Sequence, residues 1–267
     1  MFYLAHEAGR SMQLFDRKYF QLLREISVAR YKLKDQSTFL GFAWSLLHPL
    51  IMLGLMFTLF SGRVGNQINH YAIYLLIGLV QYNHFSSSTN RSMHVLLAMK
   101  SLTADAIFPK ELLVIGSAIA DFVELIAAML VCLIIAKLSG VELSWPVLAL
   151  PLVFLFQLTL ILWVSLCLSC LYVFVRDLTY IYQAFMRLLL FATPIFYAPS
   201  FLEKGPAQYV LWLNPLSHLL NFSRSLILKG EIVPLTQMVL FFAVNLALLY
   251  GSIRLFRKCE PVFAEYL

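Results

Sequence analysis

Asp121 and Glu124 stand one helical turn apart inside an apolar stretch, and Arg187 lies nearly midway along another. Two such carboxylates could serve as acid and base if both faced a wet cavity. Charges held in hydrocarbon otherwise need partners, and an ion pair between Glu124 and Arg187, within one chain or between copies, would meet that need. Cys167 and Cys170 have the spacing of half a metal site, but no second ligand pair accompanies them, so they read as small packing residues and no metal is expected. The sequence has no G-x-S-x-G elbow, no H-E-x-x-H helix and no phosphate loop. No catalytic residue is therefore assigned, and any ATP must be hydrolysed on another chain.

The other polar groups fall in three places. Gln81, Asn83, His84 and Ser86 to Ser88 sit inside an apolar run, where amides and hydroxyls more often bond between helices than line a path. A polar turn, Met99 to Glu111, separates two long apolar stretches. Farther on, Thr193-Pro194-Ile195-Phe196-Tyr197-Ala198-Pro199, Gln208 to Leu213 and Asn214-Pro215-Leu216-Ser217-His218 are apolar but repeatedly broken. Their pieces are too short to span. Non-helical backbone at membrane depth is tolerated only under cover of protein or a watery cavity, so two short re-entrant helices are expected there, suited to a gate.

The elements that position these groups follow from composition. Of 267 residues, 61% are hydrophobic and 13% charged, with a mean hydropathy of +0.80, which excludes a soluble domain with one core. An all-α integral membrane protein is expected, with spans near 39–60, 71–97, 112–136, 147–175, 178–199 and 235–256. Residues 11–29 place Phe15, Tyr19, Leu22 and Ile26 at helical spacing among charges, the pattern of an amphipathic interfacial helix. The first thirty residues are too polar for a signal peptide. With the N-terminus inside, fifteen of the twenty Lys and Arg residues fall on the cytoplasmic side and five (Arg63, Lys137, Lys204, Arg224, Lys229) outside. Net charge of +6 thus reads as a topology signal rather than as nucleic-acid binding. The domain plan is a cytoplasmic segment 1–38, a membrane domain 39–256 with a central turn at about 98–111 and an outer segment at about 194–230, and a tail 257–267.

Five stretches then resemble one family, the membrane subunits of type-2 ABC exporters that move lipid-linked polysaccharides. They are Arg30-Tyr31-Lys32 with Leu40-Gly41-Phe42-Ala43-Trp44 and Pro49, Ile107-Phe108-Pro109-Lys110-Glu111-Leu112, Phe174-Val175-Arg176-Asp177, Thr193-Pro194-Ile195-Phe196-Tyr197, and Leu213-Asn214-Pro215-Leu216. The chain departs from the family in a longer Lys32 to Phe39 segment and in His48, where Asn is frequent.

The resemblance implies a homodimer bound to two ATPase subunits, which hold the ATP and Mg, so this chain carries no cofactor. It implies that Lys100, Asp105, Phe108, Pro109, Lys110 and Glu111 receive the ATPase stroke, and that Arg30, Lys32 and Lys34 meet a lipid pyrophosphate. Pro194, Phe196, Tyr197, Pro199, Asn214 and Pro215 would form the outer gate, and Arg176 and Asp177 would close the fourth span. The cargo it implies is O-antigen, with capsule, teichoic acid, a drug or a small lipid as alternatives, and the site is the bacterial inner membrane with both termini cytoplasmic. A glycan needs a protein-lined path because hydrocarbon leaves its hydroxyls unsatisfied. A proton-coupled transporter, or an intramembrane enzyme using Asp121 and Glu124, is the distant alternative.

Overall fold

The computed structural model describes residues 17–35, 42–62, 65, 68–100, 108–201, 205 and 207–266, with the side chains of 33–35, 42–46, 207 and 264 outside that description. Its long elements are helices, and the described residues contain no strand. In chain order they are α1 (Arg17–Asp35), α2 (Phe42–Phe60), α3 (Tyr71–Ala98), α4 (Glu111–Leu138), α5 (Leu150–Phe174), α6 (Leu178–Ala192), α7 (Ala207–Leu213), α8 (Pro215–Arg224), α9 (Leu235–Cys259) and α10 (Phe263–Tyr266).

Helix α3 is the hub. It starts after His70, which adopts the left-handed conformation at φ 51°, and it is packed by α2, α4, α5 and α8. Its first half is apolar, from Ile73 to Val80, while its second half buries Gln81, His84, Ser88, Thr89 and Ser92. Neighbouring helices cover this polar half, so it does not have to match lipid. That is why α3, although 28 residues long, is not among the helices apolar enough to cross a membrane by composition. Three segments do meet that test: Glu111–Leu138, Trp145–Phe174 and Leu235–Val262.

The remaining expected spans are shorter apolar helices. Leu47–Phe60 of α2 and the whole of α6 are of this kind, and α2 contains Pro49. Helix α6 has fifteen residues, about 22 Å at the α-helical rise, because it stops at Thr193 and not at Pro199. Two short helices, α7 and α8, follow.

Helix α1 lays Tyr19, Leu22, Ile26 and Arg30 toward α4 and leaves Phe20, Val28 and Tyr31 exposed; Phe15 lies outside the described residues. Gly116 of α4 allows the approach, since a Cβ there would come 2.7 Å from Ile26 Cγ2 and 3.5 Å from the Ser27 backbone nitrogen. The core has two parts. The larger gathers Leu75 to Val80 of α3 with Leu125, Met129, Phe156, Leu160, Leu219 and Phe222. The smaller, at the Lys110 end of the bundle, joins Val95 and Leu96 to Leu113, Val114, Leu166, Val173, Phe256 and Phe263.

Candidate functional site

The broken segment after α6 begins where Pro194 removes a backbone donor and holds Thr193 extended, at φ −96° and ψ 134°. The carbonyls that follow have no helical partner, and side chains supply one for each. Arg224 Nη1 donates to the Pro194 carbonyl at 2.6 Å and Nη2 to Ile195 at 2.9 Å. Tyr71 donates to Phe196 at 2.8 Å, and Tyr74 donates to Tyr197 at 2.8 Å and Pro194 at 3.3 Å.

Arg224 also donates to the Tyr74 carbonyl through Nε (3.2 Å) and Nη2 (3.0 Å), with its guanidinium 3.4 Å from the centre of the Tyr74 ring. It is only 5% exposed, and it meets carbonyl dipoles and a ring face, an arrangement that spreads a buried charge. Gly78 faces this cluster, and a Cβ there would come 2.6 Å from Arg224 Nη2.

Asn214 ties the break to α8. Its Oδ1 accepts from the Leu216 amide at 3.0 Å as an N-cap, and its Nδ2 donates to Thr193 Oγ1 at 2.8 Å. Pro215 occupies the first helical position of α8, where a missing N–H costs nothing. Phe196 stacks on Phe60 with ring centres 5.0 Å apart and meets Phe191 and Tyr197 edge-on, and Pro199 opens a single 3-10 turn, Pro199–Phe201. The six outer-segment residues therefore lie in one region. Tyr71, Tyr74 and Gly78 join them from α3, and so does Arg224, which the sequence reading put in the outer segment only as a topology charge. A run of proline-freed carbonyls in apolar surroundings was the available signal that a donor must be near.

Between the ends of the bundle, Asp121 and Glu124 find Arg91. Arg91 Nε donates to Asp121 Oδ2 at 2.9 Å, and its Nη2 lies 3.7 Å from Glu124 Oε2. Arg187 instead lies on the exposed face of α6, and among the described residues it forms no ion pair. The expectation of a Glu124–Arg187 pair thus differs from the intrachain arrangement. It weighed depth along each span, whereas the side of the helix decides contact, and Arg91 had been read only as a topology charge.

His84 Nε2 donates to the Asp121 carbonyl at 3.0 Å, which leaves Nδ1 to accept from Gln157 Nε2 at 3.3 Å. Gln157 also donates to the Gln81 carbonyl at 3.0 Å, and Gln81 donates to Ser223. The polar groups of α3 thus bond to α4, α5 and α8. Arg30 reaches in from α1 and donates to Ser117 Oγ at 3.2 Å; burial lowers its pKa, with Arg91 contributing and Asp121 opposing. Lys32 is exposed on α1, and the side chain of Lys34 lies outside the described residues.

At the Lys110 end, α4 has no side-chain cap from its own first turn. Glu260, from beyond the last long helix, accepts from the Lys110 amide through Oε1 at 2.9 Å. Arg257 Nε donates to Glu111 Oε1 at 2.7 Å, and Nη2 lies 2.6 Å from the same oxygen. Glu111 is completely buried and Tyr19 nearly so. Burial, reinforced by Glu111, pushes the Tyr19 phenol up to about 12, while Arg257 opposes the shift. Phe108 packs on the smaller core beside these charges. Arg176 Nη2 donates to the Tyr266 carbonyl at 2.9 Å, and Asp177 precedes α6 without a side-chain cap. Lys100 is exposed, and Asp105 lies outside the described residues.

The family described as ABC-2 type transporter matches residues 22–228. An O-antigen export system permease protein RfbA from Klebsiella pneumoniae is 26% identical over 250 residues, covering 93% of this chain and 95% of that protein. One of the same name from Myxococcus xanthus is 24% identical over 249 residues, covering 93% and 96%. The family match runs from within α1 through α8 and includes Lys110 and Glu111, the Arg91 cluster and the broken segment with Arg224, while Tyr19, Arg257 and Glu260 lie outside the matched residues. This chain belongs to the ABC-2 type transporter family.

Proposed function

We propose that this chain is the permease subunit of an ATP-driven exporter that carries a lipid-linked polysaccharide, O-antigen foremost, out across the bacterial inner membrane. The observation that carries this reading is the match, over 93% of the chain, to proteins named O-antigen export permeases. On this reading six helices, α2 to α6 and α9, enclose the path, with two copies of the chain forming a channel. Helix α1 lies in the cytoplasmic interface, both termini are cytoplasmic, and a separate subunit binds ATP and Mg.

The Met99–Glu111 turn receives the push of that subunit, and the segment from Thr193 to Arg224 gates the outer mouth. Arg30, Lys32 and Lys34 meet the lipid pyrophosphate at the entrance. An exporter needs no catalytic pair in the bundle, and Asp121 and Glu124 have Arg91 as a partner. Hydroxyl-rich cargo favours a polar, aromatic-lined path over a uniformly greasy one.

The test is to delete the chain from its host and follow the lipid-linked glycan. The reading expects the glycan to accumulate inside and to reach the surface again when the chain is restored. Normal surface glycan after deletion would overturn the cargo. Purification of the tagged chain in mild detergent checks the assembly, with an equimolar protein carrying a phosphate loop expected beside it.

A further inference from the structure

The polypeptide beyond the last long helix folds back onto the start of α4. Glu260 accepts from the Lys110 amide at 2.9 Å, Arg257 binds the wholly buried Glu111, and Phe263 is fully buried in the smaller core between α3, α4 and α5. Arg176, before α6, holds the Tyr266 carbonyl at 2.9 Å. Four regions distant in sequence, around residues 19, 111, 176 and 260, are thereby fastened at the end of the bundle where the Met99–Glu111 turn returns to α4.

We propose that Glu260 is a positioning residue that makes the end of α9 and the start of α4 a single moving body, so that displacement of the turn is carried into the last long helix. The proposal rests on the turn being where the ATPase acts. A carboxylate at a helix N-terminus meets both an unpaired N–H and the positive end of the helix dipole, so the contact ties Glu260 to the first turn of α4. The Arg257–Glu111 pair one turn away prevents α9 from rotating about that point. A push on Pro109 and Lys110 then reaches α9 directly, without first passing through α5.

Hydrogen exchange on the full-length chain in complex with its ATPase subunit tests this, comparing the nucleotide-free state with the state trapped by ATP and vanadate. In the wild type, exchange is expected to change both in Phe108–Leu113 and in Arg257–Tyr266. Glu260→Ala is expected to keep the first response while reducing the second by roughly threefold or more, and Glu260→Gln, which retains the acceptor oxygen, to preserve both. If Glu260→Ala does not assemble, Glu260→Asp withdraws the carboxylate while keeping its charge, and the same outcome is expected. A tail that ignores nucleotide in the wild type, or that responds equally without the Glu260 contact, would overturn the proposal. Absence of any ATPase from the wild-type complex would instead overturn the functional reading, and this is visible before any variant is made.

Discussion

The two ends of the bundle solve one problem with opposite charges. At the Lys110 end a helix begins beside Pro109, and its free amide is met by the carboxylate of Glu260. At the Thr193 end a helix stops before Pro194, and the carbonyls that follow are met by the guanidinium of Arg224. Each choice suits the helix dipole, with an anion at an N-terminus and a cation beyond a C-terminus. They differ in burial: Glu260 is half-buried, whereas Arg224 is enclosed. Water can reach a half-buried cap, but an enclosed cation holding carbonyls from two elements cannot be removed without the loss of several dry hydrogen bonds. The Lys110 end thus keeps its cap within reach of water, and the Thr193 end holds irregular backbone in place in a dry site.

The sharpest way to break this comparison is Arg224→Ala. It removes the donor to the Ile195 carbonyl and one donor each from the Pro194 and Tyr74 carbonyls in a dry site, and a loss of about 3–5 kcal/mol is expected, enough to remove the folded protein from detergent extracts. Gel filtration of a fluorescent fusion reads this directly; a monodisperse peak of wild-type height would show that the carbonyls have other donors.

Arg257→Ala should cost less, about 2–3 kcal/mol, because Arg257 is itself about a third exposed and water can partly replace it beside Glu111. Adding Glu111→Gln should recover much of the loss, and a thermal-melt double-mutant cycle measures the coupling. Strict additivity would deny the pair.

A third variant, Gly116→Ala, drives a methyl into Ile26 and should cost about 1–2 kcal/mol by lifting α1 from α4. Increased proteolysis within Arg17–Asp35 would report it, and an unchanged digestion pattern would place the fit elsewhere. The smallest contrast lies between the two mid-bundle arginines. Arg91→Gln removes the partner of two buried carboxylates and should lower the melting temperature, while Arg187→Gln on an exposed face should change it by less than about 0.5 kcal/mol equivalent. Equal effects would mean that Arg187 has a buried role in a larger assembly.

Much of the scaffold was legible in the chain. Long apolar runs and the turns between them set α4, α5 and α9, because hydrocarbon-compatible length is a one-dimensional property. The alternation of Tyr19, Leu22 and Ile26 with charges set α1, and the prolines at 194, 199 and 215 set the broken segment, because each acts on its own neighbours. The partner of Glu124 was not legible, and neither was the role of Arg224. Basic residues look alike when counted for topology, yet Arg224 turns inward and Arg187 outward. The tail beyond α9 carried no periodic signal at all, and its importance rests on contacts with residues some 150 positions away.

The sequence by itself determined a helical membrane protein of a recognisable exporter type, the positions of its breaks and the presence of charges that needed partners. Tertiary structure alone decided which partners they received: Arg91 for Asp121 and Glu124, Arg257 for Glu111, Glu260 for the Lys110 amide, and backbone carbonyls for Arg224. The physical reason is that helix formation and membrane compatibility are summed along the chain, residue by residue. Satisfaction of a buried charge depends instead on which faces of which helices meet, and that is fixed only when all of them pack at once.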